Sequence, residues 1–192
     1  MADLSPPAER KLAQTRSITC TGYERADGLF DIEAHLIDTK PFDVHQPRFG
    51  APKPAGHPLH EMKIRATIDS DMSIHEAEAV TIHAPFDQCG IPPTVFPRLK
   101  GLSFKKGWKS DVAKIMGGTK GCTHLRELLG ILATVGYQTV VSTDRYFAQF
   151  DSGEIRPFFI GTCHAYEESG PVIEKLYPNF HKPQKVRISE DS

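Results

Sequence analysis

Apolar and polar residues alternate in two stretches of the first half of the chain. In residues 30–36, apolar side chains occupy every second position, and Asp31, Glu33 and His35 stand between them. Residues 62–68 repeat this arrangement, again with polar residues in the gaps. A period of two is that of a β-strand with one buried face. Both stretches are therefore predicted to be strands with an apolar face and a charged face.

Two further strands are predicted next to these. Residues 25–28 have the chemistry of a turn, and they join residues 16–24 to the first stretch as a hairpin. The segment 69–71 turns the chain again, into a strand over residues 72–83. The pattern gives four antiparallel strands that share one apolar face and one charged face.

Residues 40–58 interrupt the strands with five prolines and two glycines and show no periodicity. They are predicted to form a long excursion, and loops of this length are often functional. If the excursion covers a site, Phe42, His45 and Phe49 would contact the ligand.

The second half of the chain changes to helical spacing. A helix from about residue 122 to about residue 139 is predicted from the apolar positions Leu125, Leu128, Leu129, Leu132 and Val135. Shorter helices are predicted at 92–99, 107–116 and 171–177. Strands followed by helices indicate the α+β class: an antiparallel sheet of about four or more strands, covered on one face by a long helix and shorter helices. The predicted organisation is a flexible N-terminal arm (1–14), a single α+β domain (15–180) and a flexible tail (181–192).

Charge and composition narrow the possible functions. The chain has 192 residues, 39% of them apolar, and its 23 basic residues balance 24 acidic ones. This balance gives no electrostatic case for binding nucleic acid or acidic membranes. No stretch approaches the ~20 apolar residues of a membrane span, and the first residues lack the apolar core of a signal peptide. We expect a cytoplasmic protein, with a homodimer as the commonest oligomeric state.

Cys122 and His124 form the first candidate for chemistry, since they stand at the start of the predicted helix. The amino end of a helix favours a thiolate and disfavours an imidazolium, so the pair suits a nucleophile and base or a metal ligand set. Residues two apart on a helix diverge by about 200°, so the two side chains converge only if Cys122 precedes the helix. The alternative is that both residues only pack or cap the helix.

A metal site is the alternative use of these residues. All four cysteines (Cys20, Cys89, Cys122, Cys163) are widely spaced without a CxxC pair, which favours free thiols in a reducing compartment. Zinc needs three or four converging ligands, and the local pairs at 122–124 and 163–164 do not have a standard zinc spacing. We therefore predict no metal; the alternative set is Cys122, His124 and His164, with His60 or Cys89 in place of His164.

The charged face of the sheet is the second candidate. Glu33 and His35 on one strand, and Lys63 and Arg65 on another, all point away from the apolar face. Cations beside potential proton acceptors suit an anionic or phenolic oxygen. A charged outer face is also the ordinary solvated face of an antiparallel sheet, and both interpretations remain open. The motifs of nucleotide, flavin, hydrolase-elbow and zinc-protease sites are absent from the sequence, which predicts no organic cofactor.

Several stretches taken together resemble a known family. They are residues 25–33 with 36–38, residues 56–62 with Arg65, residues 99–101, residues 107–108, and above all Gly117-Gly-Thr-Lys-Gly-Cys-Thr-His-Leu125. In order along residues 16–166, this resembles the bacterial domain of unknown function family 2889. The family supplies no agreed chemistry. The matching residues are polar and stand in loops and at element ends. The resemblance also associates the chain with proteobacterial genomes rich in aromatic-compound catabolism, which implies an aromatic substrate.

These observations lead to a hypothesis of function: a cofactor-independent carbon–carbon lyase that releases formaldehyde from a phenolic, lignin-derived aromatic. The base is His60 or His124, and the oxyanion partners are Arg65, Lys63 and Tyr23. Substrate contacts are assigned to Arg25, Glu33, His35, Cys122 and Trp108. The alternatives are a metal-dependent hydrolase with a Cys/His site and a non-catalytic module that binds a small aromatic.

Overall fold

A computed structural model of the protein describes residues 4–105, 107–150 and 153–183. The chain forms two compact units, Met1–Val140 and Val141–Ser192. Of the predicted arm and tail, residues 1–3 and 184–192 lie outside the described residues. The division into one domain over 15–180 with flexible ends stays a prediction, as does the homodimer.

The first unit contains a four-stranded antiparallel sheet with the strand order β1-β2-β3-β4. The strands are β1 (Thr15–Glu24), β2 (Phe30–Thr39), β3 (Pro58–Ile68) and β4 (Ile74–His83). This is the arrangement that the alternating pattern predicts, and the α+β class is confirmed. Each strand pairs with its neighbour in sequence, so the turns at 25–28 and 69–73 fix the register.

The two faces of the sheet differ as predicted. The side chains of β2 alternate between buried and half-buried along the whole strand. The buried set of β2 and β3 forms the core on one side of the sheet: Phe30, Ile32, Ala34, Leu36, Met62, Ile64, Ala66 and Ile68. The polar set, which includes Lys63 and Arg65, points to the other side.

Apart from one short helix between β2 and β3, the helices of the described chain follow β4. The α-helices are α1 (Trp108–Met116), α2 (Thr123–Val141), α3 (Asp144–Ala148) and α4 (Pro171–Leu176). Short 3₁₀ helices lie at Pro47–Phe49, Asp87–Gly90, Pro92–Leu99, Gly118–Lys120, His164–Tyr166 and Pro178–Phe180. The helices expected near 92–99, 107–116, 122–139 and 171–177 are all present. None of the helices in the described ranges combines the length and apolar character of a membrane span.

Helix α2 lies against the apolar face of the sheet, and two glycines allow its close approach. A Cβ placed on Gly136 would lie 3.0 Å from the Ile68 side chain and 3.4 Å from the Ile32 side chain. Near the end of the helix, Thr139 occupies the space beside Gly22 of β1, and a Cβ on Gly22 would lie 2.8 Å from the Thr139 Cβ. The helix therefore runs from the Thr39 end of β2 towards its Phe30 end.

Substituting Gly22 with alanine tests this packing. We expect Gly22→Ala to lower the free energy of unfolding by about 2 kcal/mol, because the added methyl group overlaps the fixed Cβ of Thr139. Gly130→Ala in the same helix is the control: no atom lies within 4 Å of the added Cβ, and alanine favours helix by about 1 kcal/mol. Urea denaturation measures both. Equal effects of the two substitutions would contradict the contact between α2 and β1.

The excursion between β2 and β3 is folded back on itself. Val44 and Lys53 form an antiparallel bridge, and Val44 is buried. The N–H of Gly56 donates to the carbonyl of Lys40, which closes the base of the excursion. Phe42 is exposed, and contact of the excursion with a ligand stays a prediction.

The second unit has its own small aromatic core. Phe159 lies 4.8 Å from Tyr166 and 5.6 Å from Tyr177, measured between ring centroids. At its surface, Glu168 forms ion pairs with Arg156 and Lys182. Burial raises the pKa of Tyr177.

Candidate active site

Three polar residues lie side by side across the first three strands. Arg16 of β1 pairs with Asp38 of β2, and Asp38 pairs with His60 of β3. Asp38 faces the same side of the sheet as Leu36 and is also buried. The row therefore continues the apolar face of the sheet at the ends of these strands. The last row of the buried face is therefore polar and charged.

The start of α2 brings two further residues to this row. The His60 and His124 rings lie 4.1 Å apart between centroids, and Nε2 of His124 is 3.8 Å from Oδ2 of Asp38. Sγ of Cys122 is 3.6 Å from Nδ1 of His124. Cys122 stands immediately before α2, which begins at Thr123. This placement meets the condition under which side chains two residues apart converge.

Arg16 holds Asp38 with two hydrogen bonds. Nε and one terminal nitrogen of the guanidinium donate to the two carboxylate oxygens, at 2.7 and 2.8 Å. The other terminal nitrogen donates to Glu127 of α2 at 2.5 Å, which ties the helix to β1. Burial by itself would raise the pKa of Asp38, but the hydrogen bonds and charge of Arg16 outweigh it and lower that pKa. Asp38 is therefore a carboxylate at neutral pH.

His60 is oriented by the same carboxylate. Its Nδ1 lies 3.1 Å from Oδ2 of Asp38. A carboxylate only accepts hydrogen bonds, so Nδ1 carries the proton and the neutral ring has its lone pair on Nε2. Burial, followed by the neighbouring His124, lowers the pKa of His60, although Asp38 opposes the shift. His60 is thus a neutral imidazole with a fixed tautomer, which is the form of a general base.

Cys122 differs electrostatically from an ordinary thiol. Burial raises its pKa, but the contact with the His124 ring and the backbone N–H groups of Leu125 and His124 outweigh burial, and the net shift is downward. The opposite holds for Cys20, whose pKa is raised by burial. The downward shift in the pKa of Cys122 has the direction that the amino end of a helix favours.

The cluster also has the composition of a metal site. One ligand atom each from Asp38, His60 and His124 lies within 4.8 Å of the others, and two histidines with one carboxylate suit divalent iron or zinc. This set differs from the set of Cys122, His124 and His164 that the sequence offered as the alternative to no metal. Arg16 weighs against a metal, because its guanidinium occupies both carboxylate oxygens and a dication on Oδ2 would lie beside this charge.

Four of the residues assigned from the sequence lie on the opposite face of the sheet. Glu33, His35, Lys63 and Arg65 line an open groove of about 440 Å³ together with Thr19 and Thr21. Arg65 is paired with Glu33 and Glu78, and His35 is bonded to Glu61 at 3.0 Å. Adjacent residues of a strand point to opposite faces. Lys63 and Arg65 therefore do not share a site with His60, and they are not its oxyanion partners in this structure.

The remaining assigned residues lie elsewhere. Tyr23 and Arg25 are at the far end of the β1–β2 hairpin, where Arg25 pairs with Asp27 and Asp31. Trp108 begins α1 and packs edge-on against Phe104. Cys89 lies in the short helix after β4, and His164 belongs to the second unit. Their functional roles stay predictions.

Sequence reasoning missed Arg16 and Asp38. A signal was present, because Asp38 continues the every-second-residue series of the buried face from Phe30 to Leu36. A charged residue at a core position needs a partner, and the hairpin register places Arg16 opposite it. The same periodicity that located the core thus also points to the site.

Fold and site together define the class of protein: an α+β unit in which the start of a helix meets a buried aspartate and two histidines at the edge of an antiparallel sheet. The chain belongs to the family described as Protein of unknown function (DUF2889), whose model matches residues 14–138. The matched range contains all five residues of the cluster. No curated protein and no solved structure matches the chain.

Proposed function

We propose that the protein is a cofactor-independent carbon–carbon lyase, with His60 as the general base, acting on a phenolic aromatic that carries a hydroxymethyl side chain. One observation carries the proposal: Asp38, itself held by Arg16, fixes the tautomer of His60 with a hydrogen bond of 3.1 Å. The aromatic substrate class is supported by the association of the family with proteobacterial genomes rich in aromatic-compound catabolism. The reaction belongs to a reducing, cytoplasmic compartment, in which the four cysteines remain thiols.

In the proposed reaction, Nε2 of His60 takes the proton of the substrate hydroxymethyl group. The C–O bond becomes the carbonyl of formaldehyde as the adjacent carbon–carbon bond breaks. The released electron pair forms a carbon–carbon double bond and expels an aryloxide from the next carbon. The aryloxide takes up a proton, so the sum of the products equals the substrate and no oxidant or reductant is needed.

The second half of this reaction needs a donor for the expelled oxygen. His124 replaces Lys63 and Arg65 in this role, because its ring lies 4.1 Å from that of His60, whereas both cations lie on the other face. Asp38 faces both imidazoles, and it therefore favours a positive charge on the histidine that holds the proton. His60 and His124 thus provide one base and one acid close enough together to act on the same substrate molecule.

The proposal is tested by incubating the purified protein, with no added cofactor, with a phenolic dimer that bears a hydroxymethyl side chain and an aryloxy group on the next carbon. We expect formaldehyde and the alkene product in equal amounts. Lys63→Ala is the matched control, because Lys63 lies on the opposite face of the same strand, and it should retain the wild-type rate. Failure to release formaldehyde from any member of a panel of such dimers would overturn the lyase assignment.

A chelator added to the same assay separates this proposal from a metal-dependent hydrolase. We expect full activity in excess chelator and less than stoichiometric zinc and iron by plasma mass spectrometry, since Arg16 already neutralises Asp38. One equivalent of metal, lost together with activity on chelation, would replace the lyase proposal by a metal site at Asp38, His60 and His124.

A further inference from the structure

Cys122 contacts His124, and His124 in turn faces Asp38. The lyase reaction does not use the contact with Cys122. Sγ of Cys122 is 3.6 Å from Nδ1 of His124, and the other ring nitrogen of His124 faces Oδ2 of Asp38 at 3.8 Å. A nucleophile next to a base, with the base oriented by a third group, is the arrangement of nucleophilic catalysis. The distances exceed those of tight hydrogen bonds, as is common before substrate binds.

We propose that Cys122 is a nucleophile for acyl transfer from small, activated esters, with His124 as its base and Asp38 as the positioning residue of His124. This activity goes beyond the lyase reaction and does not depend on it. The substrates are esters with a good leaving group, because the nucleophile of the site is a thiolate, which attacks a carbonyl carbon.

The proposed steps balance without a further reactant except water. Nδ1 of His124 takes the thiol proton, and Sγ of Cys122 bonds to the carbonyl carbon of the ester. The tetrahedral intermediate collapses, the bond to the leaving oxygen breaks, and the leaving alcohol takes the proton from His124. Water, deprotonated by the same histidine, then attacks the thioester and releases the free acid and the thiol.

Two features distinguish Cys122 from Cys20 and Cys163: its contact with the His124 ring and its position immediately before α2. The backbone N–H groups of His124 and Leu125, at the start of α2, lower the pKa of its thiol, which favours the thiolate. Cys20 is half-buried, and burial raises its pKa. Cys163 is exposed and is therefore the most accessible comparator. Accessibility alone predicts that Cys163 reacts first, whereas the proposal predicts that Cys122 does.

The experiment uses the full-length protein and p-nitrophenyl acetate as the probe. We expect a burst of one p-nitrophenolate per chain, and peptide mass spectrometry should place one acetyl group on Cys122. Cys122→Ala should abolish the burst, and Cys20→Ser should leave it unchanged. His124→Gln should slow acetylation of Cys122 at least about tenfold, because the base is lost.

Acetyl groups spread over several cysteines or lysines, or acetylation of Cys122 at the wild-type rate in His124→Gln, would overturn the proposal. Circular dichroism and urea denaturation verify that each variant is folded. If His124→Gln does not fold, the distribution of acetyl groups over the four thiols of the wild-type protein decides the question by itself.

Discussion

Replacing His60 with glutamine is expected to lower kcat for formaldehyde release by about a thousandfold. Glutamine keeps a hydrogen-bond donor for Asp38 and a similar volume, but it has no basic nitrogen to accept the substrate proton. The loss should therefore appear in kcat, with a small change in KM. The measurement is steady-state kinetics of aldehyde release, with circular dichroism to verify the fold.

His75→Gln is the matched control for this substitution. His75 also bonds to an aspartate, with Nε2 2.9 Å from Oδ2 of Asp69, but it is exposed at the turn between β3 and β4. We expect wild-type kinetics from this variant. Similar losses in both variants would mean that the base is not His60.

The pH dependence gives a second readout for the same base. The pKa of His60 is lowered from its ordinary value of 6.5 by burial and by the neighbouring His124. A base acts in its neutral form, so kcat/KM should fall with decreasing pH only below pH 6.5. The residual activity of His60→Gln should lack this acid limb, and an unchanged limb would contradict the assignment.

Replacing Asp38 with asparagine is expected to lower the free energy of unfolding by about 2 kcal/mol, because it removes the buried partner of Arg16. It should also lower kcat roughly a hundredfold. An amide can donate to Nδ1 of His60 and so move the lone pair away from Nε2. Urea denaturation and steady-state kinetics measure the two effects separately.

The stability effect should depend on pH in a defined direction. Because the pKa of Asp38 lies below its ordinary value of 3.8 in the folded protein, its stabilisation is present above that value. It is lost as the pH falls through the folded-state pKa. The difference between wild type and Asp38→Asn should therefore be largest above about pH 5 and shrink in acid.

Asp27→Asn serves as the control for the stability measurement. Asp27 also pairs with an arginine, but both side chains are exposed and the pair is screened by water. We expect a free energy of unfolding close to that of the wild type. A loss as large as that of Asp38→Asn would show that burial is not what makes the Arg16 pair important.

The fold follows largely from local patterns in the sequence. The strict alternation in β2 and β3 identifies them as strands without knowledge of the strands they pair with, because every second residue of a strand faces the same side. The turn at 25–28 then sets the register of β1 and β2. The leucines of α2 share one helical face for the same local reason. The excursion at 40–58 lacks a period, so its internal bridge could not be predicted from the sequence pattern.

The candidate site could be predicted only in part. His60, His124 and Cys122 stand out from the sequence as chemically capable residues at element ends, and the structure brings them together. Lys63 and Arg65 were assigned as oxyanion partners because cations beside potential proton acceptors suit an anionic oxygen. Alternation of side chains, however, places these cations across the thickness of the sheet from His60.

The sequence by itself thus determined the strands, the helices, the apolar face and the residue types available for chemistry. Only the tertiary structure decided which of them meet. Cross-strand register places Arg16, Asp38 and His60 in one row. Helix α2 packs closely on the sheet at Gly22 of β1 and at its own Gly136, and this places Cys122 and His124 beside that row. Local periodicity fixes the direction of a side chain, whereas contacts between residues separated by 22 or 111 positions depend on packing between elements.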